Sequence, residues 1–181
     1  MITRRDFFKL TAGSALVTLA PSAFARTNLP KQKDSERILR FQNIHTGEKL
    51  SATYWADGRY IAEEIAAIDH VLRDHRSKEV MTMDRKLYDL LYTLQKQVEK
   101  PGIYQIISGY RSPASNSKLR ASSKGVAKRS LHMRGKAVDI RLPGVELKHL
   151  RQAALDLRAG GVGYYPKSNF IHIDTGRPRF W

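Results

Sequence analysis

Two different periods of apolar residues run along this chain, and the places where one gives way to the other outline its elements. Ile38 to Ile44 and Lys49 to Trp55 both read as strands, and His45-Thr46-Gly47-Glu48 between them has turn chemistry, so a β-hairpin is predicted there. Ala56-Asp57-Gly58 breaks the pattern. From Tyr60 to Asp74 the apolar positions Ile61, Ile65, Ile68 and Leu72 are spaced by three and four, which predicts an amphipathic helix. His70 and His75 fall off its stripe and are expected at the surface, as is His45 in the hairpin turn. A second helix is predicted from a cap at Asp84 to about Val98, with Leu87, Leu90, Leu91 and Leu94 inward and Pro101-Gly102 ending it. Ile103 to Ile107 is a candidate central strand, and Ser108-Gly109-Tyr110-Arg111-Ser112 follows at its end. Residues 113–131 are small and basic, with helical potential around Asn116 to Ser122. Val138 to Leu142 reads as a strand, Val145 to Leu157 as a helix, 160–166 as a Gly-rich extended segment and Phe170 to Asp174 as the last strand. No internal repeat or low-complexity tract is evident.

The first residues break from this pattern. Arg4-Arg5-Asp6-Phe7-Phe8-Lys9 is a twin-arginine signature, Leu10 to Ala20 is a short apolar stretch, and Ala23-Phe24-Ala25 is a small-x-small cleavage site. Residues 1–25 are therefore read as an export signal, with an ordinary Sec signal or an uncleaved anchor as the competing readings. Residues 26–36 are read as a flexible leader and 37–181 as the functional domain. A periplasmic location is the expectation. No further segment reads as membrane-spanning.

Composition narrows the chemistry. The chain has no cysteine, which excludes disulfide staples, thiolate metal ligands and a cysteine nucleophile. Its formal net charge is +15, about +13 once residues 1–25 are set aside, a field that attracts polyanions. For an exported protein those are the cell wall and anionic lipid headgroups, not nucleic acid. A solvated basic surface with no dedicated partner is the bland alternative.

The candidate chemistry lies in two short runs, Ser130-Leu131-His132-Met133-Arg134-Gly135-Lys136-Ala137-Val138-Asp139 and Phe170-Ile171-His172-Ile173-Asp174. Alternate side chains of a strand share a face, so Val138 and Ile140 point one way and Asp139 the other; Ile171 and Ile173 oppose His172 in the same manner. If the two strands pair, Asp139 and His172 meet opposite the core, and the loop through Gly135 can fold His132 over them. Two imidazoles and a carboxylate form the ligand set of a hydrolytic zinc site with one position open to water. A lone histidine on a strand is more often a hydrogen-bonded residue than a ligand. A carboxylate within an apolar strand is harder to dismiss, because its burial needs compensation.

This spacing resembles that of the zinc peptidases of the D-Ala-D-Ala carboxypeptidase group, in the lysostaphin and hedgehog-like superfamily, and within it the murein endopeptidases. The Asn43 to Glu48 hairpin, the Ser-Gly-Tyr-Arg-Ser run and Gly161 to Pro166 extend the likeness over the domain. The resemblance implies an α+β fold with a small central antiparallel sheet that carries one Zn2+ and is flanked by helices. It implies hydrolysis of peptide cross-links in peptidoglycan: the 3-3 diaminopimelate bond and the 4-3 D-Ala–diaminopimelate bond. It assigns His132, Asp139 and His172 as metal ligands and Arg111 to substrate binding or oxyanion stabilisation, against a structural arginine as the alternative. Ser130 either orients substrate or shapes the loop. Several relatives carry a glutamate base three residues before the last histidine; here that residue is Asn169. Asp174, on the same face as His172, is the candidate base, or else a carboxylate that orients an imidazole. Two rivals stay open: a non-catalytic peptidoglycan-binding protein that kept the fold, and a metal-free glycan hydrolase using Glu63 and Glu64.

Overall fold

The computed structural model describes residues 35–181 other than 101 and 124; the predicted export signal and all but the last two residues of the predicted leader lie outside them. Among the described residues no helix is long and apolar enough to cross a membrane. The hairpin forms as β1 (Glu36–Asn43) and β2 (Lys49–Ala56), paired antiparallel with a register irregularity at Arg37/Ile38. Glu36, assigned above to the leader, opens β1. Asp57 and Gly58, both at positive φ, turn β2 into the two-residue β3 (Arg59–Tyr60). Tyr60 thus belongs to a second tight hairpin and not to the helix predicted from it, and α1 is confined to Ala62–Val71.

Helix α2 (Arg85–Gln97) starts where its cap predicts: the Asp84 side chain accepts from Lys86 N–H. Leu87, Leu90, Leu91 and Leu94 are buried together with Ile65, Ile68 and Leu72 of the α1 region. They pack with Leu39, Phe41 and Tyr54 in one apolar cluster. After β4 (Tyr104–Ser108), α3 (Pro113–Ser122) begins at Ser112, whose hydroxyl accepts from Ser115 N–H, with Pro113 in the first turn. A 3-10 turn at Leu131–Arg134 leads to β5 (Ala137–Arg141), α4 (Leu147–Asp156) and β6 (Gly161–Tyr165). A second 3-10 turn at Pro166–Ser168 leads to β7 (Phe170–Asp174) and β8 (Arg179–Phe180).

The eight strands form one sheet in the order β3-β2-β1-β4-β5-β7-β6-β8. Its centre, β4-β5-β7-β6, is antiparallel, as expected. The sheet is nevertheless larger than predicted and mixed, because β1 joins β4 in parallel and β8 joins β6 in parallel. The cause is local: β1 must cross two helices before β4 pairs with it, and a two-residue strand such as β8 has no sequence periodicity to announce it.

Candidate metal centre

Pairing of β5 with β7 sets the site. Asp139 stands directly opposite His172, between the Val138–Ile173 and Ile140–Ile171 pairs. The four aliphatic side chains are buried in the core, and alternation sends the carboxylate and imidazole to the other face. His132 reaches them from the 3-10 turn at Leu131–Arg134. Ser130 opens this turn, its hydroxyl accepting from His132 N–H at 3.3 Å.

His132 Nε2 lies 3.2 Å from Asp139 Oδ1 and 3.1 Å from His172 Nδ1, and the latter two atoms are 2.9 Å apart. Tetrahedral zinc with bonds of about 2.0–2.2 Å needs ligand atoms about 3.3–3.5 Å apart, so small outward shifts of these three buried side chains make a ligand triangle. Among the described residues this is the only group of three or more His, Cys, Asp or Glu side chains close enough to hold a metal ion. The donor set, two nitrogens and one oxygen, fits zinc.

The other nitrogen of each ring has its own partner. His132 Nδ1 donates to the Gly109 carbonyl at 2.7 Å, leaving Nε2 bare. Gly109 is needed for this contact, since any side chain at 109 would collide with the Leu72 backbone, to which Tyr110 N–H bonds at 2.7 Å. His172 Nε2 donates to Asp174 Oδ2 at 2.9 Å, leaving Nδ1 to face Asp139. Burial disfavours charge on His172, but its bonds to Asp139 and Asp174 outweigh this and raise its pKa. Burial also works against the Asp139 carboxylate, yet His132 and His172 beside it hold its pKa far below the usual range.

Asp174 is fully buried, and every donor around it is spoken for. Besides His172 it accepts from Gly161 N–H, Gly176 N–H and both terminal nitrogens of Arg179. Those bonds overcome desolvation and keep its pKa very low. It stands behind the imidazole and is not among the residues that line the cavity, a placement that lets it orient His172. Asn169, where relatives carry a glutamate, is exposed at φ 53, ψ 53 after the second 3-10 turn. Asparagine tolerates that left-handed backbone well, so the residue serves the turn.

Arg111 is buried beside the triad. Its Nη2 lies 3.6 Å from Asp139 Oδ2 and donates to Ser108 Oγ, its Nη1 reaches Asn116 Oδ1 at 3.4 Å, and its buried Nε has no partner. Burial pulls its pKa down while Asp139 opposes that fall. The triad, Arg111 and Ser130 line an open cavity of about 380 Å3, whose other walls include Arg129, Tyr165, Phe170, Arg179 and Trp181. Asp139 is the one carboxylate among its lining residues. A larger hollow of about 490 Å3 beside α4, lined by Val98 and His149, contains no such cluster. Glu63 and Glu64 are in the first turn of α1 and line neither cavity. Tyr165 lies in the Gly161 to Pro166 segment that the resemblance covers, but Arg179 and Trp181 carried no signal in the sequence; only the return of β8 to the sheet edge brings them to the site.

A family model described as peptidoglycan L,D-endopeptidase MepK matches residues 31–181. Over 180 residues the chain is 48% identical to the peptidoglycan L,D-endopeptidase MepK of Escherichia coli strain K12, an alignment that covers 98% of this chain and 96% of that one. It is 39% identical over 180 residues to the probable peptidoglycan L,D-endopeptidase MepK of Haemophilus influenzae, covering 98% and 95%. No solved structure gives a significant match.

Proposed function

The chain belongs to the peptidoglycan L,D-endopeptidase MepK family of M15 peptidases and is a peptidase, and we propose that it is a zinc-dependent enzyme that cuts peptide cross-links of peptidoglycan. Its targets in this reading are the 3-3 diaminopimelate bond and the 4-3 D-Ala–diaminopimelate bond. The observation that carries this reading is the convergence of His132, Asp139 and His172 on one wall of an open cavity.

These three side chains would hold the ion. When bound, zinc supplies Lewis acidity toward both the scissile carbonyl and the attacking water. The chain's own groups do the remaining work. The Gly109 carbonyl and the Asp174 carboxylate fix the tautomers of the two imidazoles, so each presents a bare nitrogen without rearrangement. Arg111, fixed by Ser108 and Asn116, offers positive charge beside the triad where negative charge develops on the carbonyl oxygen. Ser130 positions His132 through the backbone. Arg111 and Arg129 around the cavity, where Asp139 is the one acidic side chain and Arg179 is held by Asp174, suit an acidic peptide.

Export by the twin-arginine route to the periplasm and electrostatic retention near the anionic envelope complete the proposal. The test is metal analysis of the purified mature protein together with mass spectrometry of its action on defined 3-3 and 4-3 cross-linked muropeptide dimers. About one zinc per chain and chelator-sensitive release of monomers are expected. Dimers left intact by the zinc-loaded protein would make it a binder, not a hydrolase.

A further inference from the structure

Trp181 has no part in holding the metal, yet it is built into the cavity wall. Its backbone extends the β6–β8 pairing: its N–H bonds to the Val162 carbonyl at 3.2 Å and its carbonyl accepts from Tyr164 N–H at 3.1 Å. The side chain then lies across Gly163, the residue paired with His172. A methyl group at 163 would sit 2.7 Å from Trp181 Cε2 and 2.8 Å from Cζ2, so the indole occupies the space that a side chain would fill. The indole N–H donates to the Tyr165 hydroxyl at 2.8 Å. The ring centre is 5.2 Å from that of His172, and the Arg179 guanidinium lies 5.0 Å from the ring. Tyr165 in turn stacks on Phe170 with ring centres 4.6 Å apart.

A tryptophan that served only to plug the sheet edge would be buried. Trp181 is 48% exposed and lines the cavity together with the three ligand residues. Its one polar atom is satisfied, so what it presents to the cavity is an apolar aromatic surface fixed in orientation at both its backbone and its ring nitrogen. Arg111 and Arg129 also line this cavity.

We propose that Trp181 is a substrate-contact residue whose indole face takes the aliphatic side-chain carbons of a residue beside the scissile bond, while the cavity's arginines take that peptide's carboxylates. This deepens the cross-link peptidase reading and rests on it. Gly163 is the device that seats the ring.

The experiment compares zinc-loaded wild type, Trp181→Ala, Trp181→Phe, Gly163→Ala and the Gly163→Ala/Trp181→Ala pair on a 3-3 cross-linked dimer. Phe180→Ala, at a 69% exposed residue outside the cavity lining, is the control. Trp181→Ala raises KM about three- to tenfold with kcat and zinc content little changed. Trp181→Phe restores part of the loss. Gly163→Ala, whose methyl displaces the indole, reproduces the defect of Trp181→Ala, and the double variant is no worse than either single one. The chain has two tryptophans, and the other, Trp55, is buried under the Arg37 guanidinium. Titration with a disaccharide-tetrapeptide therefore shifts the fluorescence of wild type and not of Trp181→Phe. An unchanged KM in Trp181→Ala, additive losses in the double variant, or zinc lost in proportion to activity would overturn the proposal. If wild type cleaves no dimer, the peptidase reading fails instead, and the fluorescence titration still decides whether the indole meets a peptide.

Discussion

The two flanks of the sheet bury carboxylates to similar depth with opposite results. On the β1–β2 flank, α1 and α2 press leucines and isoleucines onto Leu39, Phe41 and Tyr54, and Asp69 is enclosed among them. It has neutral donors only, Met83 N–H at 3.0 Å and the Tyr88 hydroxyl, and desolvation prevails, raising its pKa. On the β5–β7–β6 flank, Asp139 and Asp174 meet imidazoles, guanidinium groups and backbone N–H groups, and their pKa values fall. Depth alone therefore does not decide the state of a buried acid; the number and charge of its donors do. One flank is organised for cohesion. The other is organised to hold charge ready for a cation.

The contrast can be broken most directly at the ligands. His132→Ala, Asp139→Ala and His172→Ala should each lower activity by at least about a thousandfold and abolish zinc retention, read by metal analysis and dimer hydrolysis. Circular dichroism should stay native, because the apolar flank carries the fold; full activity in any of the three would dissolve the distinction. Leu91→Ala, on that apolar flank, should cost about 2–5 kcal/mol of stability in denaturant titration. Its kcat/KM at 25 °C in the zinc-loaded state should match wild type, and a matching fall in activity would show that the flanks are not separable.

Asp174→Asn tests the support behind the metal. Zinc affinity should drop about 10- to 100-fold in chelator competition, and activity should largely return at saturating zinc. Activity still absent with zinc fully bound would give Asp174 the role of base. The smallest effect sharpens the comparison within α1 and its following loop. Asp69 has a raised folded pKa, so its contribution is present at low pH and is lost as pH rises through that value. Asp74, buried but bonded to the Ser115 side chain and to Ser112 N–H and Arg76 N–H, has a lowered one, so its contribution is present above the ordinary carboxylate range and lost as pH falls. Asp74→Asn should flatten the acid limb of the stability–pH curve, and Asp69→Asn should instead remove a loss of stability on the alkaline side of that limb. Identical changes from both would refute the assignment of opposite shifts.

The sequence made the metal flank more legible than its own wall. Strand alternation around Asp139 and His172 foretold their meeting, because both sit in runs where every second residue is aliphatic. Asp84 foretold the start of α2 for an equally local reason. Arg179 and Trp181 could not be read this way. Arg179 opens a strand two residues long and Trp181 follows it, and their roles come from partners five or more residues away in the chain: Asp174, Gly163 and Tyr165. Asp174 shows the limit from the other side. Its place beside His172 was visible, but its four further donors come from a loop, another strand and β8, so its saturation could be known only in three dimensions. The β3 turn at Asp57-Gly58 was visible as a break, but its hairpin was hidden because β3 itself is only two residues long.

The register that sets Asp139 against His172 couples assembly to competence. A slip of one residue between those strands would turn one of the two polar groups inward and two aliphatic side chains of the same strand outward, a loss that the hydrophobic interior would not tolerate. Misassembled molecules with a half-made reactive centre are thus selected against by oil–water partition itself, before any substrate is met.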